Sequence, residues 1–300
     1  MSTAAAVLLA ALASLGAFFA WSWFRIERGH VKLGIAIGGG ALRASIGFVT
    51  NFFDTLGIGS FAPTASIFKL RRLVSDELIP GTMNVGHTLP TLIQGLIFIG
   101  AVEVGATTLI AMIGAAVLGA WFGAGAVAAM PRRRIQIGMG AALLVAAALS
   151  VLMIAKLLPS GGTALQLNGG LLAVAIVANF ILGALMTLGI GLYAPCLILV
   201  SLLGMNPIAA FPIMMGSCAF LMPVAALRFV REQKYDLRAA LGLTLGGIPA
   251  VFLAAFVVRS LPLMWLRWLV VIVATYTAVI MLMSSRRASD ATGVSAETAP

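Results

Sequence analysis

Thr55-Leu56-Gly57-Ile58-Gly59-Ser60-Phe61-Ala62-Pro63 and Thr187-Leu188-Gly189-Ile190-Gly191-Leu192-Tyr193-Ala194-Pro195 agree at seven of nine positions and lie 132 residues apart. The offset persists outside them. Pro80 matches Pro212, Pro90 matches Pro223, Gly114 matches Gly247 and Pro131 falls near Pro262, each within one residue of 132. Low complexity can mimic a repeat, but it does not keep glycines and prolines in register over so long a stretch. The chain is an internal duplication. Each copy of the phrase lies inside an apolar segment, 33–70 and 168–203, that is too long for one membrane crossing. As one helix the first would span about 57 Å at 1.5 Å per residue, against a hydrocarbon core of about 30 Å. The paired glycines ahead of a proline are where such a helix unwinds and restarts.

Around these breaks the 300 residues are 61% hydrophobic and 9% charged, with a mean hydropathy of +1.10. Soluble domains carry about a quarter of their residues as Asp, Glu, Lys and Arg, so a water-soluble globule is excluded. The net charge of +10 does not indicate nucleic acid, because the bases form short runs between apolar segments rather than a stripe on a soluble face. Cys196 and Cys218 lie in apolar stretches without metal-type spacing and read as inert buried thiols. No metal site or cofactor is expected.

Further apolar segments run at roughly 4–24, 80–101, 106–130, 134–157, 207–229, 239–258 and 262–284. The first has its bases (Arg25, Arg28, Lys32) after it, unlike a cleaved signal peptide. It is expected to be an uncleaved span with its N-terminus outside. If each broken pair returns to its side of entry, each repeat crosses an odd number of times and the second copy is upside down. Fifteen of the nineteen Lys and Arg then share one side, which the positive-inside rule makes the cytoplasm. Only Lys156, Arg259 and Arg267 fall outside, and Arg43 lies within a span. Corresponding loops also swap charge: the Lys69–Arg72 loop is basic, whereas its partner Gly204-Met205-Asn206 has no base.

The expected fold is an all-α polytopic membrane protein of two inverted repeats. Each repeat is a broken or re-entrant helix pair plus three transmembrane helices, and one extra N-terminal span precedes them. Residues 1–32 hold the extra helix and a cytoplasmic loop, 33–157 the first repeat, 168–284 the second and 285–300 a disordered cytoplasmic tail. Whether the broken pairs are re-entrant or full crossings stays open, as does a homo-oligomer.

Inverted repeats with discontinuous helices point to a secondary transporter with its site near the bilayer midplane. A half-helix that restarts at a break has N–H groups without intrahelical partners and the positive end of a dipole, which together bind anions. Irregular backbone at membrane depth survives only where it is buried or lines a wet cavity. The expected substrate contacts are Thr55, Gly57, Gly59, Ser60, Asn84, Thr187, Gly189, Gly191, Tyr193 and Ser217, with Asn51, Thr64 and Asn179 completing a polar lining. Asp54, His87 and Arg43 are candidates for proton coupling or charge, since ionisable groups at membrane depth are rarely idle. Against each stands a plainer role. Gly-x-Gly also serves close helix packing, Asp54 can cap a freed helix end, His87 can be a packing residue, and Arg43 can snorkel.

The duplicated Gly-rich break followed by proline, TLGIGSFAP and TLGIGLYAP, resembles the sulfite exporter TauE/SafE family over residues 33–284, with the first span as an addition. The resemblance implies a transporter of small sulfur-containing anions, such as sulfite or an organosulfonate, in the cytoplasmic membrane. A passive anion channel and a carrier of a non-sulfur organic anion remain the alternatives. An enzyme is not expected: Gly-x-Ser-x-Gly, His-Glu-x-x-His and Walker motifs are all missing from the sequence. The expected partners are a small anion and the lipid bilayer.

Overall fold

The computed structural model describes residues 3–28, 40–128, 132–157, 162–186 and 192–297. Among these residues every element is helical: α1 (Thr3–Glu27), α2 (Gly40–Thr55), α3 (Phe61–Arg71), α4 (Ile79–Ala101), α5 (Ala106–Ala128), α6 (Arg132–Ile154), α7 (Gly169–Met186), α8 (Tyr193–Leu202), α9 (Ala210–Arg231), α10 (Leu237–Ser260) and α11 (Leu263–Glu297), with a 3-10 turn Pro207–Ala209 before α9. Four stretches of the described residues are long and apolar enough to cross a membrane: Ala5–Glu27, Gly169–Met186, Pro207–Arg231 and Leu237–Ser260. α11 carries its helix through Arg286 and Arg287 to Glu297, across residues whose composition reads as a disordered tail.

The first break lies where the glycines require it. Gly57 and Gly59 hold φ of +96° and +90°, a region that side chains with a Cβ rarely enter. α2 therefore stops at Thr55, and α3 restarts at Phe61. α3 ends at Arg72, whose left-handed backbone (φ +49°) turns its N–H back to the Lys69 and Phe68 carbonyls. Asp236 caps α10 by accepting from the Ala239 N–H at 2.7 Å.

α4 is as long as a span but polar along one face, and that face is turned inward: Thr82, His87, Thr88, Thr91 and Gln94 are all buried. Large apolar side chains such as Val177, Leu245, Phe252, Phe256 and Ile272 are exposed instead. Polar inside and apolar outside is the arrangement that lipid selects.

Small residues set the helix pairings. α2 lies on α10 with Gly47 against Leu243, Gly242 against Arg43, Gly246 against Ala44 and Gly247 against Asn51. α5 lies on α7 with Gly119 against Phe180 and Gly183 against Ala116. A shift of 132 residues carries α2 to α7 and α5 to α10, so each of these pairs is the image of the other. α4 and α9, also images, pack on each other antiparallel: Gly81 meets Phe229, Gly95 meets Met215 and Ala219, and Phe98 stacks on Phe211 at 5.2 Å. α6 and α11 repeat this relation, with Gly140 against Ala278 and Leu282 at one end, and Ser150 and Ile154 sharing a cavity with Arg267 and Val270 at the other. α1 has no counterpart. It lies along α4 with Gly16 against Leu92 and Leu9 beside Gly100.

Candidate functional site

Asp54 stands one residue from the end of α2, buried and facing the break. Its carboxylate reaches across the unwound glycines and accepts hydrogen bonds from both the hydroxyl and the backbone N–H of Ser60, the residue that opens α3. The start of α3 therefore already holds a carboxylate that the chain itself supplies.

Two side chains of α4 organise the rest. Gln94 donates from Nε2 to Asp54 Oδ2 at 2.9 Å and to Thr55 Oγ1 at 2.9 Å. Its Oε1 accepts from the hydroxyl of Tyr193, the first residue of α8, at 3.0 Å. That hydroxyl also has the Thr91 and Cys218 side chains as hydrogen-bond neighbours, and Cys218 reaches Met186 Sδ at 3.5 Å. Two turns earlier His87 is fully buried between Asn51 Oδ1 on α2 and Thr64 Oγ1 on α3, each at 3.1 Å, with the Phe61 ring against it. Asn51 is fixed by its own Nδ2 donating to Gly47 O at 2.8 Å. Gln94 and His87 thus bind both sides of the first break and the start of α8 into one buried polar seam.

Of the residues the sequence singles out, the seam brings together Asp54, Thr55, Ser60, His87 and Tyr193, with Gly57 and Gly59 forming the turn beneath them. Asn84 does not join it: its Nδ2 donates to Pro80 O at 2.9 Å, near the start of α4. Ser217 is buried but donates to Ile213 O at 2.7 Å, within its own helix. Arg43 lies against Gly242 of α10, about 16 Å along α2 from Asp54 at 1.5 Å per residue. Asn179 donates to Met112 O at 2.7 Å and ties α7 to α5. Thr187, Gly189 and Gly191 lie outside the described residues.

Sequence reasoning missed Gln94 and Thr91. The signal was present: Asn84, His87, Thr88, Thr91 and Gln94 recur at helical spacing through an otherwise apolar span. The stripe continues past the His–Asn pair by two further turns.

No curated protein and no solved structure matches the chain. Residues 171–300 match a family model described as Sulfite exporter TauE/SafE, a stretch that begins in α7 and includes the second break, Tyr193 and α9 to α11. The chain is a multi-pass membrane protein, and the family that its duplicated break resembles is the one whose model matches its second half: the sulfite exporter TauE/SafE transporters.

Proposed function

We propose that this chain is a secondary transporter for a small anion, a sulfur oxyanion or organosulfonate such as sulfite, working across the cytoplasmic membrane. Its site lies where Gln94 links the break before α3 to the start of α8, with Thr55, Gly57, Gly59, Ser60 and Tyr193 around it. By the 132-residue offset, Thr187, Gly189 and Gly191 are the sequence counterparts of Thr55, Gly57 and Gly59 in the second repeat. The N-terminus faces outward and the C-terminus the cytoplasm.

The observation that carries this reading is the polar seam from Asp54 through Gln94 to Tyr193. A bundle that is apolar outside gathers carboxylate, amide and phenol at the starts of its two short helices. Buried polar groups on this scale are costly unless they have partners, and at membrane depth they mark ion and substrate paths. Inverted repeats are supported by the antiparallel packing of α4 on α9 and of α6 on α11. A two-fold axis that relates antiparallel helices runs perpendicular to them, and so lies in the plane of a bilayer that they cross.

The test is flux into proteoliposomes of sulfite, sulfate, organosulfonates and carboxylates, with and without a pH gradient. Accumulation of a sulfur anion above its external concentration, driven by the gradient, is the expected result. Flux that only equilibrates the anion marks a passive channel. Preference for carboxylates moves the substrate class.

A further inference from the structure

Gln94 hydrogen-bonds to both Asp54 and Tyr193, and its two ends are chemically unlike. The NH2 group can only donate and the carbonyl oxygen can only accept. In the arrangement seen, the NH2 faces Asp54 Oδ2 and Thr55 Oγ1, and the carbonyl faces the Tyr193 hydroxyl. That polarity requires Asp54 Oδ2 to be an acceptor, so it carries no proton, and it spends the Tyr193 O–H on Gln94.

The geometry points to Gln94 as a hydrogen-bond relay that frees the Tyr193 O–H for the transported anion when Asp54 takes up a proton. This inference rests on the transport reading above and assigns the step that links proton and anion. A proton arriving on Oδ2 turns that atom into a donor facing another donor. Rotation of the Gln94 amide by half a turn relieves the clash: Oε1 then accepts from the Asp54 hydroxyl, Nε2 donates to the Tyr193 oxygen, and the Thr55 hydroxyl turns from Asn51 O to donate to Oε1. No bond to carbon changes, and Tyr193 keeps its proton. Its O–H merely loses its acceptor. Of its other neighbours, the Thr91 hydroxyl acts on the phenol oxygen as a donor and the Cys218 thiol is only a weak acceptor, so an anion at the start of α8 competes for the O–H with little opposition.

The groups around Asp54 do not supply a rival switch. Gln94 meets it from α4 and Ser60 from α3, while the titratable groups that face it are Tyr193 of α8 and Cys218 of α9. His87 of α4 is reached only through Asn51, α10 presents Gly247 at that level, and Arg43 of the same helix is three turns away. Gln94 is accordingly a positioning residue: it acts on the anion through Tyr193.

Acid-induced infrared difference spectra of the full chain in lipid test the relay without knowledge of the substrate. Asp54→Asn identifies the Asp54 carboxyl band and Tyr193→Phe the Tyr193 C–O–H band. In the parent the two bands should change together on acidification. In Gln94→Met, of similar length and without strong hydrogen-bonding groups, the carboxyl band should still titrate while the tyrosine band stays still. A parent whose tyrosine band ignores Asp54 overturns the relay, and so does a tyrosine band that still responds in Gln94→Met. Should Gln94→Met fail to fold, the parent comparison alone decides. Anion exchange between equal pools gives the second reading: KM should fall with pH in the parent and be flat in Gln94→Met. Coupled bands in a chain that moves no anion would overturn the transport reading, and flux with uncoupled bands overturns the relay alone.

Discussion

The hydroxyl of Tyr193 donates to Oε1 of Gln94 at 3.0 Å, joining the first residue of α8 to the middle of α4 across 99 positions of sequence. Through the same amide it is two hydrogen bonds from Asp54. The starts of the two short helices are therefore not independent anion sites. One is held by a carboxylate of the chain, and the other communicates with it.

Topology is the most direct test of the inverted arrangement. In a background free of thiols, Ser75→Cys, Arg133→Cys and Lys234→Cys should react with an impermeant maleimide only from the cytoplasm. Glu103→Cys and Leu157→Cys should react only from outside. All five positions are exposed, so silence cannot be blamed on burial. Opposite labelling of Ser75 and Arg133 would mean that the two repeats are not inverted.

The glycines of the first break make separable predictions. A Cβ at Gly59 meets open space, yet φ there is +90°, so Gly59→Ala strains the backbone without a collision. A non-glycine residue in left-handed backbone costs roughly 1–2 kcal/mol. The expected result is a fall of that order in unfolding free energy and a loss of most transport. Gly114→Ala, where a Cβ also meets nothing but the backbone is an ordinary helix, should be neutral or slightly stabilising. Equal behaviour of the two variants would show that the left-handed turn is not what matters at Gly59.

Much of this architecture is legible in the order of the residues. The repeated phrase marks the first break, because Gly57 and Gly59 can enter the left-handed backbone at which α2 gives way to α3, and α8 begins at Tyr193 within its second copy. Long apolar runs mark the spans. Asp54, Thr55, Ser60 and His87 are conspicuous because polar residues stand out in such runs. Gln94 is less so, since a neutral amide carries no charge and its importance lies in which helices it touches. Asn84 and Ser217 mislead for the converse reason: helical spacing says that a hydroxyl or amide shares a face, but not that it has turned to a carbonyl of its own helix. The role of α1, which lies outside the duplication, shows only in its contacts.

Those contacts end in a polar anchor. Glu27 Oε1 accepts from the Tyr235 hydroxyl at 2.6 Å and from Gln233 Nε2 at 3.0 Å, while Trp23 Nε1 donates to the same hydroxyl at 2.9 Å. Burial, and then the bond to Glu27, push the Tyr235 hydroxyl up from its ordinary value. It stays a donor throughout the neutral range, and its contribution declines only as pH rises beyond the free tyrosine value of about 10. Tyr235→Phe leaves Glu27 and Trp23 each short of a partner and should cost about 1–3 kcal/mol, read as a lower Tm in detergent. An unchanged Tm would show that α1 is held by its apolar face alone.

His87 should prove a structural clamp before it proves a proton carrier. Its ring satisfies Asn51 Oδ1 and Thr64 Oγ1 at once, so it clamps the end of α2 to α3 across the break. His87→Ala orphans two buried groups at about 1–3 kcal/mol each and should lower Tm markedly. If His87→Gln restores Tm and gradient-driven uptake together, the clamp is sufficient. Restored Tm with exchange intact but accumulation lost would assign His87 a part in proton movement.

Asp54→Asn distinguishes a coupling carboxyl from a cap. Asn is a good capping residue, and its carbonyl oxygen can still accept from Ser60. At the position of Oδ2 it can place an NH2, which only donates, facing a Gln94 group that also donates. The amide of Gln94 is then driven to the orientation that protonated Asp54 would impose, and Tyr193 is left free at every pH. The variant should insert, exchange anion between equal pools with a KM that no longer depends on pH, and match the parent at acid pH. It should not accumulate anion against its gradient, because no proton is bound and released within the cycle. A parent-like uphill accumulation by Asp54→Asn would leave Asp54 as a cap at the start of α3 and place the coupling group elsewhere.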